Sequence, residues 1–423
     1  MLSSLIAPPL FGDVPHGAAE PSCRLCGARL HQSLLDLGRV PLSNRTVTAD
    51  EPDQSFPLHA RICESCMLVQ IPDVAAPAVL TPPAPFLSSR SPTAVEHARR
   101  FAETMCHRLS LDADSLVIEI GSNDGYLLRH FQAASVPVLG IEAAATPASV
   151  ANELGVPTET GYFCAETAME IAVRHGRADL VVANNVLPHV PDLFDFAAGF
   201  AGILRPNGVL VLEVPHLQSL VQRLQFDAFR HDTYAYLSLQ VVERILRSVA
   251  LRVFDAERLT DHGGSLRIYA CHAVSTHGAR PGLKAVRQAE ANARLHQQDF
   301  YADFNDRVAT AREEVSRFIR LRAEAGRRVV AYGAAARGAT LLNLCGVTAN
   351  EIACVADADP DKQGRLLPGS RVPVVSCETL LDDPPDDLFI LPWTHMAEIS
   401  SRMQPLRQTG TQFWAAIPRL ARV

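Results

Sequence analysis

Four short apolar runs, SLVIEI (115–120), PVLGIE (137–142), ADLVVAN (178–184) and GVLVLEV (208–214), recur with helix-length segments between them. Each is too short for a core helix and too continuously apolar for a strand with one wet face, so each reads as a strand buried on both sides. Strands spaced this way define βαβ units and a mostly parallel sheet, the α/β class. AVEHARRFAETMCHRL (94–109) places Val95, Ala98, Phe101, Met105 and Leu109 on one side and predicts an amphipathic helix before the first strand. LRVFDAERL (251–259) and SLRIYACHA (265–273) predict two antiparallel strands that close this unit, and HAVSTHGARPG (272–282) reads as a linker. Phe300, Phe304, Val308, Val315 and Ile319 then recur at near-helical spacing, with Gly326 placed to cap the helix. A second α/β pattern follows in RVVAYGAAARG (328–338), EIACVADADP (351–360), DLFILPW (387–393) and QFWAAIP (412–418).

At about 150 residues per domain, 423 residues imply two to three domains. Lys+Arg 39 against Asp+Glu 46 gives a net charge of −7, which argues against a protein that holds nucleic acid by its field. No stretch approaches the ~18 uninterrupted apolar residues of a membrane helix. The start, MLSSLIAPPLFGDVPHG, lacks a basic region and is broken by prolines, so residues 1–20 read as a flexible leader. The expected organisation is a metal module (21–80) ending in the proline-rich VAAPAVLTPPAP, a first doubly wound domain (81–275), and a second (276–423) opened by the long helix.

Four of the ten cysteines form two Cys-x-x-Cys pairs, Cys23/Cys26 and Cys63/Cys66. Each pair offers two soft ligands from one tight turn, and Gly27 suits the first turn. The 36 residues between the pairs (27–62) require a loop or hairpin to bridge them. A redox dithiol is the rival, but two pairs in one short segment favour a structural zinc ion, whose four sulfurs leave no open position for catalysis. A reducing cytoplasm is the default for such cysteine usage.

Glu119-Ile120-Gly121-Ser122-Asn123-Asp124-Gly125 follows the first strand and opens the helix YLLRHFQ (126–132). Glycines at this turn let backbone approach a ligand, and the helix start offers free N–H groups. The glycines are too widely spaced for a dinucleotide fingerprint; the spacing resembles the first motif of class I S-adenosylmethionine-dependent methyltransferases. Ser122, Asn123, Asp124, Tyr126 and Leu127 belong to the same turn. Glu142 ends the next strand, where a carboxylate can grip two ribose hydroxyls. Asn184 and Asn185 end the third strand, the place for the amino-acid part of the cofactor, and His189 follows them.

Taken with the four cysteines, several motifs resemble the sugar C-methyltransferases of deoxysugar biosynthesis over about residues 21–400. They are PLSNR (41–45), SSRS (88–91), EIGSNDGYLL (119–128), GIE (140–142), ANNVLPHV (183–190), EVPHL (213–217), FDAFRHDTYAYLSL (226–239), HGGSLRIY (262–269), YGAAARGATLLN (332–343), DADPDKQGRLLPG (357–369) and PW (392–393). The resemblance implies a zinc-bearing N-terminal module, a middle S-adenosylmethionine domain, and a C-terminal Rossmann-like domain that helps anchor a nucleotide-linked 4-keto sugar. It implies a small-molecule partner, with no nucleic acid and no membrane, and leaves self-association open. Gly333 and Arg337 in the turn after RVVAY, then Asp357 and Lys362 after the next strand, are the candidates for the diphosphate. His216, Gly264, Ser265 and Arg267 are further substrate candidates within the shared motifs.

Carbon methylation beside a ketone needs a base for the α-proton and a donor for the enolate oxygen. The family assigns this work to a Tyr-His-Glu-His run. Here the aligned residues are Arg230-His231-Asp232-Thr233, and Arg90 stands where SSYS-like motifs have tyrosine. One reading keeps methylation, with His231 as base helped by Asp232, Tyr234 or Tyr236. A second has Arg90 and Arg230 binding an anionic acceptor that is methylated on oxygen or nitrogen. A third is a silent binding protein, against which the intact cofactor motif speaks.

Overall fold

A computed structural model describes residues 21–75, 77–80 and 87–423; the expected leader and the proline-rich residues 81–86 lie outside the described residues. A four-stranded antiparallel sheet is formed by Ser33–Pro41, Ser55–Ile62, Val69–Gln70 and Ala235–Tyr236, the last contributed from the middle of the chain. Sequence patterning misses Ser33–Pro41 because two register shifts break its alternation.

The central sheet has seven strands in the order Leu251–Leu259, Ser265–His272, Leu204–Pro215, Ala178–Asn184, Val117–Ile120, Val138–Glu142, Thr158–Thr160. Ser265–His272 runs antiparallel to both neighbours, and the strands from Leu204–Pro215 to Thr158–Thr160 pair in parallel. Chain order reverses at Val117–Ile120, and such a switch point opens a crevice beyond the carboxyl ends of the strands. On one face, Val117, Leu180, Val182, Val209 and Val211 pack with Phe101 and Met105 of the helix Pro92–Leu109. Burying Phe101 against that face stabilises the fold by about 2–3 kcal/mol. Ser91 caps the helix by accepting from the Ala94 N–H at 3.3 Å, and Pro92 fits its first turn. The helix Pro281–Asn292 also joins the central unit, through Leu283 and Val286 on the opposite face.

The third sheet has the order Val374–Val375, Val355–Ala356, Val329–Tyr332, Asp387–Ile390, Gln412–Ala415, Ala421–Arg422, parallel except for the last pair. The expected α/β architecture is therefore present: a small four-cysteine module, then two doubly wound units. The helix Phe304–Glu324 buries Phe304, Val308, Val315 and Ile319 in one core with Leu35 and Leu58 of the first sheet and Val329 and Phe389 of the third. Arg371 Nε donates to Asp53 Oδ2 at 2.9 Å, and Val47 bridges Leu366, so the first and last modules are joined by polar contacts as well. Among the described residues no helix is long and apolar enough to cross a membrane.

Candidate active site

The four cysteine sulfurs Cys23, Cys26, Cys63 and Cys66 lie within 4.8 Å of one another. Cys23 and Cys66 approach to 3.5 Å, as do Cys26 and Cys63. Tetrahedral zinc–thiolate bonds of about 2.3 Å need sulfurs about 3.8 Å apart, so the donor set fits. Hydrogen bonding from Cys66 holds the Cys23 thiol down to about 4, while the same contact and burial push Cys66 up. Burial raises the Cys63 and Cys66 thiols, a penalty that a bound cation offsets.

At the switch point Gly121 and Gly125 adopt φ +70° and +74°. A Cβ on Gly121 would stand 2.6 Å from Val186 Cγ2, and one on Gly140 would stand 2.4 Å from Ser122 Oγ. Only glycine permits so close a crossing. Glu142 Oε2 and Oε1 accept from the Asn123 and Ala144 N–H groups at 2.9 and 2.8 Å, which fixes the carboxylate over the turn. Asn123 Oδ1 and Asp124 Oδ2 in turn accept from the Ser88 and Ser89 N–H groups, so residues 88–89 strap the loop from above. Leu127 is core.

Several buried polar atoms at this edge lack a hydrogen-bond partner among the described residues: Glu119 Oε2, Ser122 Oγ, Asp124 Oδ1 and Asn184 Oδ1. Burial, with Glu142 and Asp124 nearby, holds the Glu119 carboxyl well above its usual range. Orphaned acceptors around a glycine cradle fit a nucleoside carrying hydroxyls and an ammonium, as S-adenosylmethionine does. Asn185, at φ +58°, turns the chain after the third strand, and its N–H bonds the Glu213 carbonyl at 2.7 Å. Tyr126, Arg230 and Asp232 are partly buried, and His189 is exposed. His189 Nδ1 donates to the Asp232 carbonyl, and desolvation lowers its pKa.

The run 230–236 divides. Arg230 pairs with Asp232 at 3.0 Å. His231 is buried with Nε2 on the Phe56 carbonyl at 3.2 Å. The Tyr236 hydroxyl is held between the Arg230 N–H and the Ala228 carbonyl, and the Tyr234 ring lies under the Arg24 guanidinium. Thr233 is buried. Arg90 reaches the third unit, with Nη1 2.6 Å from Asp359 Oδ1 and Nη2 3.4 Å from Asp361 Oδ2. Both new arginines therefore face carboxylates of this chain.

Among the substrate candidates, His216 Nε2 lies 2.9 Å from Oε1 of the buried Glu290, which also accepts from the N–H groups of residues 239 and 240. Gly264 carries φ +115° and its carbonyl accepts from His216; Ser265 Oγ donates to the Asp261 carbonyl. Gly333, at φ +96°, passes so close to Pro392 that a Cβ would meet it at 2.5 Å. Asp357 accepts from the Ala334 N–H at 2.7 Å and from Lys362 Nζ at 3.4 Å. Arg337 Nη1 lies 3.5 Å from Asp227 Oδ2, which also accepts from Trp393 Nε1 at 2.9 Å. These groups gather at the carboxyl edge of the third sheet, at its own switch point.

Arg267, a substrate candidate, belongs to a polar cluster whose other members sequence reasoning missed: its Nη2 lies 3.1 Å from Glu213 Oε2 and 3.2 Å from His97 Nε2, and His97 Nε2 lies 3.1 Å from the same carboxylate oxygen. Glu213 lies within the shared EVPHL segment, but no local spacing joins it to His97.

Three families match the chain: "Putative zinc binding domain" over residues 23–80, "Methyltransferase domain" over 94–254, and "C-methyltransferase C-terminal domain" over 260–418. C-methyltransferase NovU of Streptomyces niveus is 33% identical over 400 residues, spanning 94% of this chain and 95% of that protein. A ubiquinone biosynthesis O-methyltransferase of Rhodopseudomonas palustris (strain HaA2) is 30% identical over 121 residues, 26% of this chain and 46% of that one. A solved S-adenosylmethionine-dependent methyltransferase from Clostridium acetobutylicum aligns at 10% identity and TM-score 0.34, covering 42% of this chain and 92% of that one.

Proposed function

The chain belongs to the C-methyltransferase family that includes NovU, as a class I S-adenosylmethionine-dependent enzyme with a zinc module, and from that premise we propose its acceptor: the carbon beside a ketone on a nucleotide-linked deoxysugar. One observation carries the reading. The orphaned acceptors of the cofactor cradle and the imidazole of His189 share the carboxyl edge of adjoining strands. Because the Asp232 carbonyl can only accept, Nδ1 of His189 carries the proton and Nε2 keeps the lone pair. Desolvation keeps this imidazole neutral near pH 7.

The division of labour follows. Glu142 and the Gly121–Gly125 turn hold the cofactor's ribose and methionine ends, with Asn184 and Asn185 beside them. S-adenosylmethionine, when bound, supplies an electrophilic methyl group and departs as the neutral thioether. His189 Nε2 takes the α-proton of the acceptor; the C–H pair becomes the C=C bond and the carbonyl π pair moves to oxygen as the enolate. When that carbon accepts the methyl group the C=O bond reforms, so charge and electrons balance. Arg337, Asp357 and Lys362 at the third sheet anchor the nucleotide portion. The anionic-acceptor alternative is weaker, because Arg90 and Arg230 already neutralise Asp359, Asp361 and Asp232. Incubation with labelled methyl donor and a panel of keto-sugar nucleotides tests the reading: label on the carbon next to the ketone is expected, and label on oxygen or nitrogen alone, or none, overturns it.

A further inference from the structure

We propose that Arg24, which stands between two of the zinc-module cysteines, is a positioning residue of methyl transfer: its guanidinium holds the turn that carries His189. The inference rests on the reading of His189 as base given above. Proton abstraction depends on where the accepting nitrogen is held, and a misplacement of about 1 Å can cost on the order of 10²-fold in rate. His189 sits between the strand Ala178–Asn184 and the helix Leu193–Ile203. Its placement therefore depends on what fixes residues 186–191.

The turn is gripped on both sides of the histidine. Before it, the Pro188 carbonyl accepts from the Tyr234 N–H at 2.8 Å; after it, the Pro191 carbonyl accepts from Arg24 Nη1 at 2.7 Å. The ring itself bonds the Asp232 carbonyl through Nδ1. Arg24 Nη2 donates to the Ile71 carbonyl at 2.9 Å, and the Ile71 N–H donates to the Tyr234 carbonyl at 3.1 Å. The guanidinium also lies over the Tyr234 ring, 4.9 Å from its centroid. One side chain thus joins the His189 turn, the segment after Val69–Gln70 and the segment before Ala235–Tyr236.

The backbone of Arg24 belongs to the metal knuckle. Its N–H donates to Gln70 Oε1 at 3.0 Å, and Gln70 Nε2 donates to Cys23 Sγ at 3.1 Å. The four-sulfur cluster therefore gives the side chain a fixed base from which to reach the turn. That side chain is 9% exposed, whereas Asp73, which lies 3.2 Å from Nη2, is 55% exposed. An ion pair so open to water contributes little. The two charge-assisted bonds to the Ile71 and Pro191 carbonyls are sheltered and directional. Nε is buried without a partner among the described residues, so the two Nη groups set the orientation of the fork. A lysine keeps the charge but lacks the planar fork that spans two carbonyls.

The test uses the full-length zinc-loaded protein and its Arg24→Ala and Arg24→Lys variants. Metal analysis should find about one equivalent of zinc in each. In Arg24→Ala, amide exchange should rise at residues 187–190 and at Tyr234. Its kcat should fall on the order of 10–10²-fold, while KM for S-adenosylmethionine and for the keto-sugar nucleotide stays within about threefold. A merely structural arginine would lower Tm without that split. Arg24→Lys should recover part of kcat. Exchange and kcat in Arg24→Ala equal to those of an active parent overturn the inference alone. If Arg24→Ala does not fold, parental exchange and kcat in Arg24→Lys overturn it. Zinc lost in proportion to kcat also overturns it, because the effect then runs through the metal. Methylation by His189→Gln at the parent's rate overturns the base assignment, and a parent inert toward every keto-sugar nucleotide overturns the acceptor reading; in either case the inference falls with it.

Discussion

Arg230 Nε lies 3.0 Å from Asp232 Oδ1, and Asn44 Nδ2 donates to the other oxygen of that carboxylate at 3.3 Å. The related run carries tyrosine and glutamate at these positions, so the arginine and the shorter acid occur together and partner each other. Burial alone would raise the Asp232 pKa; Arg230 and His189 outweigh it and hold it below the usual value. Arg230→Ala should cost about 1–3 kcal/mol by leaving a half-buried carboxylate unpaired. The double change Arg230→Ala/Asp232→Ala should recover part of that loss in urea unfolding. Strict additivity of the two single changes would show that the pair contributes nothing.

Zinc should matter beyond its own module. Val69 and Gln70, three and four residues past Cys66, pair with Ala235 and Tyr236 just after the 230–233 run. Cys23→Ser should lose about one equivalent of zinc by metal analysis, since a single four-sulfur site leaves no spare ligand. Amide exchange should rise in residues 230–236 as well as around the cysteines, and methyl transfer should fall. Metal loss with unchanged exchange at 230–236 would separate the two.

What the chain order makes local was legible. The cysteine pairs, the Gly121–Gly125 turn and Glu142 each lie within a few residues of a strand end, and the structure gathers them as expected. Contacts made only by packing were not. His97 and Glu213 are 116 residues apart and meet because one helix crosses the sheet at a given angle. Tyr234 and Tyr236 looked available because they follow the catalytic run, yet pairing of Ala235–Tyr236 with Val69–Gln70 turns both into buried structural groups. Arg90 and Arg230 looked unpartnered because Asp359 is 269 residues away from the first, and because spacing alone does not reveal that Arg230 folds back onto Asp232.

The cofactor cradle gives a prediction about space. Gly121→Ala would place a Cβ 2.6 Å from Val186 Cγ2 in a backbone conformation that disfavours side chains, so the turn must open. Calorimetry with S-adenosylhomocysteine should show binding weakened at least about 100-fold. Glu142→Gln keeps the shape and removes the charge, and should weaken binding about 10-fold while leaving the zinc content unchanged.

Glu119 makes stability depend on pH. Its folded-state pKa is raised by burial and then by Glu142 and Asp124, so its contribution is fully present below the unfolded value and is lost as pH rises toward the folded one. The cofactor-free protein should therefore show a Tm that falls as the pH rises above the ordinary carboxylate range. Glu119→Gln should flatten that slope. An identical slope in the variant would place the titrating group elsewhere.

His189 sets the acid limb of catalysis. The base must be neutral, and desolvation lowers its pKa from the ordinary 6.5, so kcat should rise through a limb centred below 6.5 and be flat across neutrality. A histidine base whose pKa were not lowered would put that limb at 6.5 itself. His189→Gln should lower kcat on the order of 10²–10⁴-fold, remove the acid limb and leave KM for the sugar nucleotide within about threefold, because the residue acts on the proton and not on the nucleotide. His231→Gln is the matched control. That imidazole is buried on the Phe56 carbonyl, so its loss should lower Tm and leave the acid limb where it was. If the limb instead disappears in His231→Gln and persists in His189→Gln, the base is the histidine of the run, and the cleft must open there before the acceptor can reach it.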